Sequence, residues 1–168
     1  MTRKNRAWIF IPAVIVGLAV IGLVISSFQR EAGLIKPGEN GRATVAAAAQ
    51  AREALSATSG PAGYAEFSAA LLVAAVAHEN MPITNAADTR LDDLLGSILD
   101  HLTAAREAWQ AELDGAWDPE THGRSAYWNA LHPALSLSAN DTLTAADVRA
   151  ICEAEAAKLL EKAIDLAG

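Results

Sequence analysis

Hydrophobic and polar positions divide this chain into one long run without a charge and several stretches in which apolar residues recur every three or four positions. The run is "AWIFIPAVIVGLAVIGLVI" at 7–25, and it stays uncharged through Gln29. As a helix rising about 1.5 Å per residue, some 20 residues cover about 30 Å, the hydrocarbon thickness of a bilayer. Its Ile, Leu, Val and Phe residues contribute roughly −4 to −7 kcal/mol to insertion, with no charge to oppose them. Pro12 stands near its start, where a helix tolerates proline best. A cleaved secretory signal would have a shorter apolar core and a small-x-small cleavage site; here the run is longer and offers only Val24-Ile25-Ser26. A buried soluble helix would keep a polar stripe, which this run lacks. The pattern therefore predicts a basic tail at 1–6 and a retained single transmembrane helix at 7–29. Ala13 and Gly17, and Gly22 and Ser26, have the small-xxx-small spacing of close membrane-helix pairs, but the two pairs point to nearly opposite sides.

After the run, residues 30–43 carry Gly33, Pro37, Gly38 and Gly41 among mixed charges and are expected to be a linker. From there the period is helical. A first helix is expected at 44–58, with a mostly alanine face, and a second at 63–79, with Tyr64, Phe67, Leu71, Ala75 and His78 on one stripe. A third, at 86–114, is the spine: Leu91, Leu95, Ile98, Leu102, Ala105, Trp109 and Leu113 share a face, Asn85 can cap it with Asp88 at the positive end of the dipole, and Gly115 stops it. Asp118-Pro119 starts a turn, a short helix covers 125–131 with Ser125 as cap, and Pro133 ends it. The last helix starts at a capping box, Thr144 with Asp147, and runs to Ala167 on the stripe Ala145, Val148, Cys152, Ala156, Leu159, Ala163, Leu166. The expected fold is all-α: one N-terminal transmembrane helix, then an irregular bundle of about four longer helices plus a short one, occupying 44–168. Thirty-eight alanines and few β-branched runs favour helix over strand throughout.

Charge adds orientation and excludes some partners. All 20 acidic residues follow residue 30, and residues 30–168 hold only ten Lys or Arg against them. A domain with twice as many acids as bases offers no phosphate-neutralising patch, so nucleic acid is excluded as a partner and an anionic leaflet repels the soluble part. Arg3, Lys4 and Arg6 crowd a six-residue tail, whereas Arg30, Lys36 and Arg42 are spread over 13 residues. The denser cluster stays inside, which predicts a cytoplasmic N-terminus and an extracytoplasmic C-terminal domain at the cell membrane.

Candidate chemistry is sparse. Cys152 is the one cysteine, so no intrachain disulfide or thiolate zinc site can form, and its place on an apolar stripe reads as packing. His78 has no second histidine one turn away, which removes zinc proteolysis, and it too lies on an apolar stripe; His101 flanks the spine's face. Gly-rich phosphate loops, nucleophile elbows and calcium loops are absent from the sequence. Ser136, Ser138, His132 and Asp141 form only a loose triad composition, and Asn140-Asp141-Thr142 fits a glycosylation acceptor.

What stands out is 107–133, "EAWQAELDGAWDPETHGRSAYWNALHP", with three of the four tryptophans. Large aromatics bury about 150–250 Å² each and can pin a long connection onto an alanine-rich bundle, which is the expected role of Trp109 and the first reading of Trp117, Tyr127 and Trp128. Trp117, Tyr127 and Trp128 are also candidates for a partner-binding surface. Asp118, Glu120, His122 and His132 are the candidate metal ligands of a rival reading, a small-ligand or metal-binding domain, possibly a hydrolase, built on 118–132. With no catalytic residue or cofactor expected, the sequence points first to a membrane-anchored, non-enzymatic assembly or accessory subunit. Lipid would surround 7–29, and another membrane or envelope protein would be its partner.

Overall fold

The protein's structure, a computed structural model, describes residues 36–138 and 142–168. The expected basic tail 1–6, the transmembrane helix 7–29, Asn140 and Asp141 lie outside the described residues. Five α-helices and one short 3-10 turn make up the fold, with no strand among the described residues: α1 (Glu39–Ala57), α2 (Gly60–Glu79), α3 (Ala86–Leu113), α4 (Ser125–Leu131), the 3-10 turn Pro133–Leu135, and α5 (Ala145–Ala167). Lys36–Gly168 forms one compact unit.

The spine is α3. Leu91, Leu95, Ile98, Leu102, Ala105 and Trp109 are all buried, as the periodicity predicts, while Leu113, the last residue of the helix, is 37% exposed. On one side α3 packs most extensively against α5, and on the other the α1–α2 hairpin closes the bundle. On α5 the buried stripe is Ala145, Val148, Cys152, Ala156, Leu160, Ala163 and Ala167. Leu159 and Leu166 are only half-buried, so the expected stripe drifts by one position in its second half. The 3.6-residue period, followed over six turns, gives that displacement.

The hairpin is tighter than expected. Helix α1 begins at Glu39, inside the expected linker, because the chain entering it is already tied down. The backbone N–H of Gly38 donates to Asp88 Oδ1 (3.2 Å), and Arg42 Nε donates to Ala167 O (3.1 Å). Lys36 Nζ donates to Gly168 O. Gly41 lets the chain approach α3 closely: a Cβ there would lie 2.8 Å from Leu91 Cδ2 and 3.2 Å from Pro37 Cβ. One end of the bundle thus gathers the starts of α1 and α3 with the ends of α2 and α5.

Caps fix the starts. Asn85 Oδ1 accepts from the N–H groups of Ala87 (2.8 Å) and Asp88 (3.0 Å), and Thr144 with Asp147 forms the reciprocal capping box. Asp88 does more than complement the dipole. It is buried and also accepts from the N–H (2.9 Å) and hydroxyl (2.6 Å) of Thr84, bonds that hold its carboxyl below the usual range. Ser125 does not cap α4: it is the first helical residue, Arg124 holds the cap position, and the buried Ser125 hydroxyl has no partner among the described residues.

Helix α2 departs furthest from expectation. Phe67, Leu71 and Ala74 are buried, Tyr64 and His78 half-buried, and Ala75, expected on the stripe, is exposed. By length and composition α2 is long and apolar enough to cross a membrane, yet only 22% of its most apolar window is buried. Its outer face carries Leu72 (64% exposed), Val73 (60%) and Val76 (49%), together with the exposed Ala62, Ala65 and Ala69. Successive steps of three and four residues place all six on one stripe about 21 Å long, with no charge inside it. Surface helices ordinarily turn a polar face outward, and among the described residues none covers this apolar stripe.

Candidate functional site

His132 ties the connection from α3 to α5 back onto the spine. His132 follows the short helix α4, where Pro133 forces the chain out of helix, and its ring is carried back onto α3. Nδ1 lies 2.8 Å from Asp100 Oδ1 and Nε2 lies 3.0 Å from Glu107 Oε2, while the Ala134 N–H reaches Asp100 Oδ2 at 3.4 Å. Both ring nitrogens donate when the imidazole is protonated. Burial opposes the charge on this 7%-exposed side chain, but the bonds to Asp100 and Glu107 and their negative charge outweigh it, so the His132 pKa is raised above 6.5. Asp100 and Glu107 are seven residues apart, two turns on one face of α3, a spacing that brackets a ring laid between them.

Aromatic rings continue from His132 outward. Trp128, 1% exposed, stacks on His132 (centroids 6.2 Å, planes 20° apart) and on Trp117 (6.0 Å, 19°), and meets Tyr127 edge-on at 5.3 Å. Its indole N–H donates to His122 O at 2.7 Å. Trp128 is therefore packing, with no surface left for a partner, whereas Trp117 and Tyr127 are half-buried and keep part of their rings in water. Trp109 packs separately, with Tyr64 (5.9 Å), Phe67 (6.1 Å) and the Arg149 guanidinium 4.9 Å over its ring.

The turn at Asp118 is self-contained. Its carboxylate accepts from the Thr121 hydroxyl (2.7 Å) and the Glu120 N–H (3.0 Å), which hold its pKa down. Its own N–H donates to His122 Nδ1 at 2.9 Å, so in neutral His122 the proton sits on Nε2. Glu120 pairs with Arg124 at 2.7 Å, both largely exposed, an ion pair of little energetic weight. Gly123 closes the turn where only glycine fits, since a Cβ would lie 2.3 Å from Pro119 O. The turn is fastened to the start of α5 by the Leu143 N–H on Gly123 O (2.9 Å) and the Arg124–Thr142 bridge.

Of the four metal-ligand candidates, then, Asp118 and His122 share one turn, Glu120 faces Arg124, and His132 is engaged elsewhere between two carboxylates. Among the described residues no group of three or more His, Cys, Asp or Glu is placed to hold a metal ion. The His132 cluster has the composition of such a site, but its two carboxylates lie against opposite nitrogens of the ring. An imidazolium bound on both sides also has no lone pair with which to activate a nucleophile. Among the described residues Ser136 Oγ reaches only Pro133 O, at 3.5 Å. The sequence held no signal for Asp100 and Glu107 beyond their spacing, because their partner is 25 or more residues away.

The remaining histidines occupy separate places. His78 Nε2 pairs with Asp92 Oδ1 at 2.9 Å at the bundle's edge. His101 donates from Nδ1 to Ser97 O (2.7 Å) and lines an open cleft of about 530 Å³ with Ser136, Ile151 and Glu155. Cys152 is fully buried, and burial, with the charge of Asp100, pushes its thiol up to about 12. At pH 8 the folded protein should resist alkylation by maleimide for hours and react fully in denaturant; rapid labelling of the native chain would contradict this environment.

No protein family, no curated protein and no solved structure matches this chain.

Proposed function

We propose that this protein is a membrane-anchored, non-enzymatic assembly or accessory subunit, held by 7–29 with its N-terminus in the cytoplasm, whose helical unit works outside the cytoplasm by docking onto protein. The observation that carries the reading is the uncovered apolar stripe of α2, with Leu72, Val73 and Val76 each about half exposed or more. At about 25 cal/mol per Å² of apolar surface removed from water, side chains of this size favour covering the stripe by several kcal/mol in sum. Two further features support it. The histidine most deeply built into the connection is spent on fastening it, and the bundle's net negative charge disfavours nucleic acid and anionic lipid as the cover.

The test joins anchoring to assembly. Full-length protein should stay with the membrane fraction through alkaline extraction and need surfactant for release. In mild detergent it should run in a complex larger than the monomer, and Val73→Asp, at an exposed position, should reduce it to the monomer with its helical content unchanged. Release into the aqueous phase without surfactant would refute the anchor. A Val73→Asp protein with an unchanged complex would refute docking through α2.

A further inference from the structure

We infer that the α2 stripe is the contact between two copies of this chain, packed antiparallel about a two-fold axis at Ala69. This rests on the reading of α2 as a docking surface and goes one step further, to what covers it.

The stripe has a bulky half and a small half: Leu72, Val73 and Val76 toward the end of α2, Ala62, Ala65 and Ala69 toward its start. Turned about Ala69 onto a second copy, Val76 falls on Ala62, Val73 on Ala65, and Leu72 beside the residue-66 position. Both valines meet an alanine, the arrangement that lets helices approach closely with knobs filling holes, while Leu72 lies at the edge of the seam beside Glu66. An isologous contact must satisfy itself in this way, and a random apolar face does not.

Charge decides between orientations and between occupants. The exposed Glu66 and Glu79 flank the stripe, and α2 contains no Lys or Arg. In the antiparallel pairing Glu66 lies opposite Leu72 and Glu79 opposite Ser59, so no two acids meet. A parallel pairing would put Glu66 on Glu66, Glu79 on Glu79 and bulk on bulk. A lipid surface fits less well, because helices lying in that interface carry Lys and Arg on their polar flanks. A seam about 21 Å long covers less than the roughly 800 Å² per partner of a standard interface. The pairing is accordingly weak in free solution and gains from confinement, which an anchor in a shared membrane supplies.

Cysteine cross-linking of the full-length chain in its native membranes tests this, with Cys152 silent because it is buried. Ala69→Cys should give a disulfide-linked product of twice the chain mass under mild oxidation. Ala65→Cys and Val73→Cys chains, differently tagged and expressed together, should link to each other, and neither should link efficiently to itself. Adding Leu72→Glu to Ala69→Cys should cut the linked fraction at least tenfold.

Self-linking of Ala65→Cys as efficient as that of Ala69→Cys would overturn the antiparallel register. If the Ala69→Cys thiol is shielded from a water-soluble maleimide yet forms no product of twice the mass, the second copy is refuted while docking through α2 stands. If that thiol labels freely in membranes, the stripe is uncovered and both conclusions fall.

Discussion

Replacing Trp128 with alanine is expected to cost about 3–5 kcal/mol of folding stability, the range for deleting a fully buried large aromatic. Trp128 fills the space between Trp117 and His132, and its N–H is the donor for His122 O. Truncation leaves a cavity and a carbonyl without that donor, two penalties that add. Urea unfolding followed by far-ultraviolet circular dichroism measures the cost directly. Trp117→Ala and Tyr127→Ala, at half-buried positions, should each cost clearly less. Since both retain exposed ring surface, they remain the variants in which lost binding can be separated from lost folding. A Trp128→Ala protein within about 1 kcal/mol of the native chain would show that the connection is not fastened through this ring.

The second large effect is at His132. His132→Ala removes two charge-assisted hydrogen bonds and leaves Asp100 and Glu107 facing each other across the gap, an expected loss of about 2–4 kcal/mol near pH 6. The native pH profile carries the same signature. The folded pKa of His132 is raised above the unfolded value near 6.5, so its contribution is complete below 6.5 and is lost as pH rises through the folded value. Asp88, Asp118, Asp147 and Glu155 are all lowered, through hydrogen bonds from Thr84, Thr121, Thr144 and Lys158 respectively. Their contributions are present above the ordinary carboxylate range and are lost as pH falls through their depressed values. Thermal stability should therefore be greatest at mildly acidic pH, between about 4.5 and 6.5. In His132→Ala the alkaline decline should flatten while the acid limb remains. An alkaline limb identical in both proteins would assign the decline to other groups.

These two residues also mark how far the sequence could be read. The helices at 86–113, 125–131 and 145–167, the Asn85 cap, the Thr144–Asp147 box and the stop at Gly115 are local, set by contacts within a few residues, and the residue order alone determines them. So is the apolar face of the spine through Trp109, because one helix period acts over a short distance. The start of α1 at Glu39 is not local: it depends on Asp88, Ala167 and Gly168, which the chain reaches only after folding. The same holds for the connection. Sequence proximity grouped Asp118, Glu120, His122 and His132 as ligands, but tertiary packing sent His132 to two acids on α3 and left the others in a closed turn. On α2, periodicity placed Phe67 and Leu71 inward but also Ala75, which is exposed, and could not say that no described residue covers the apolar outer face. Local patterns are decided by sterics and hydrogen bonds between near neighbours. Which side chain meets which across the bundle, and which apolar face finds no partner, is decided by how the helices divide a fixed interior among them.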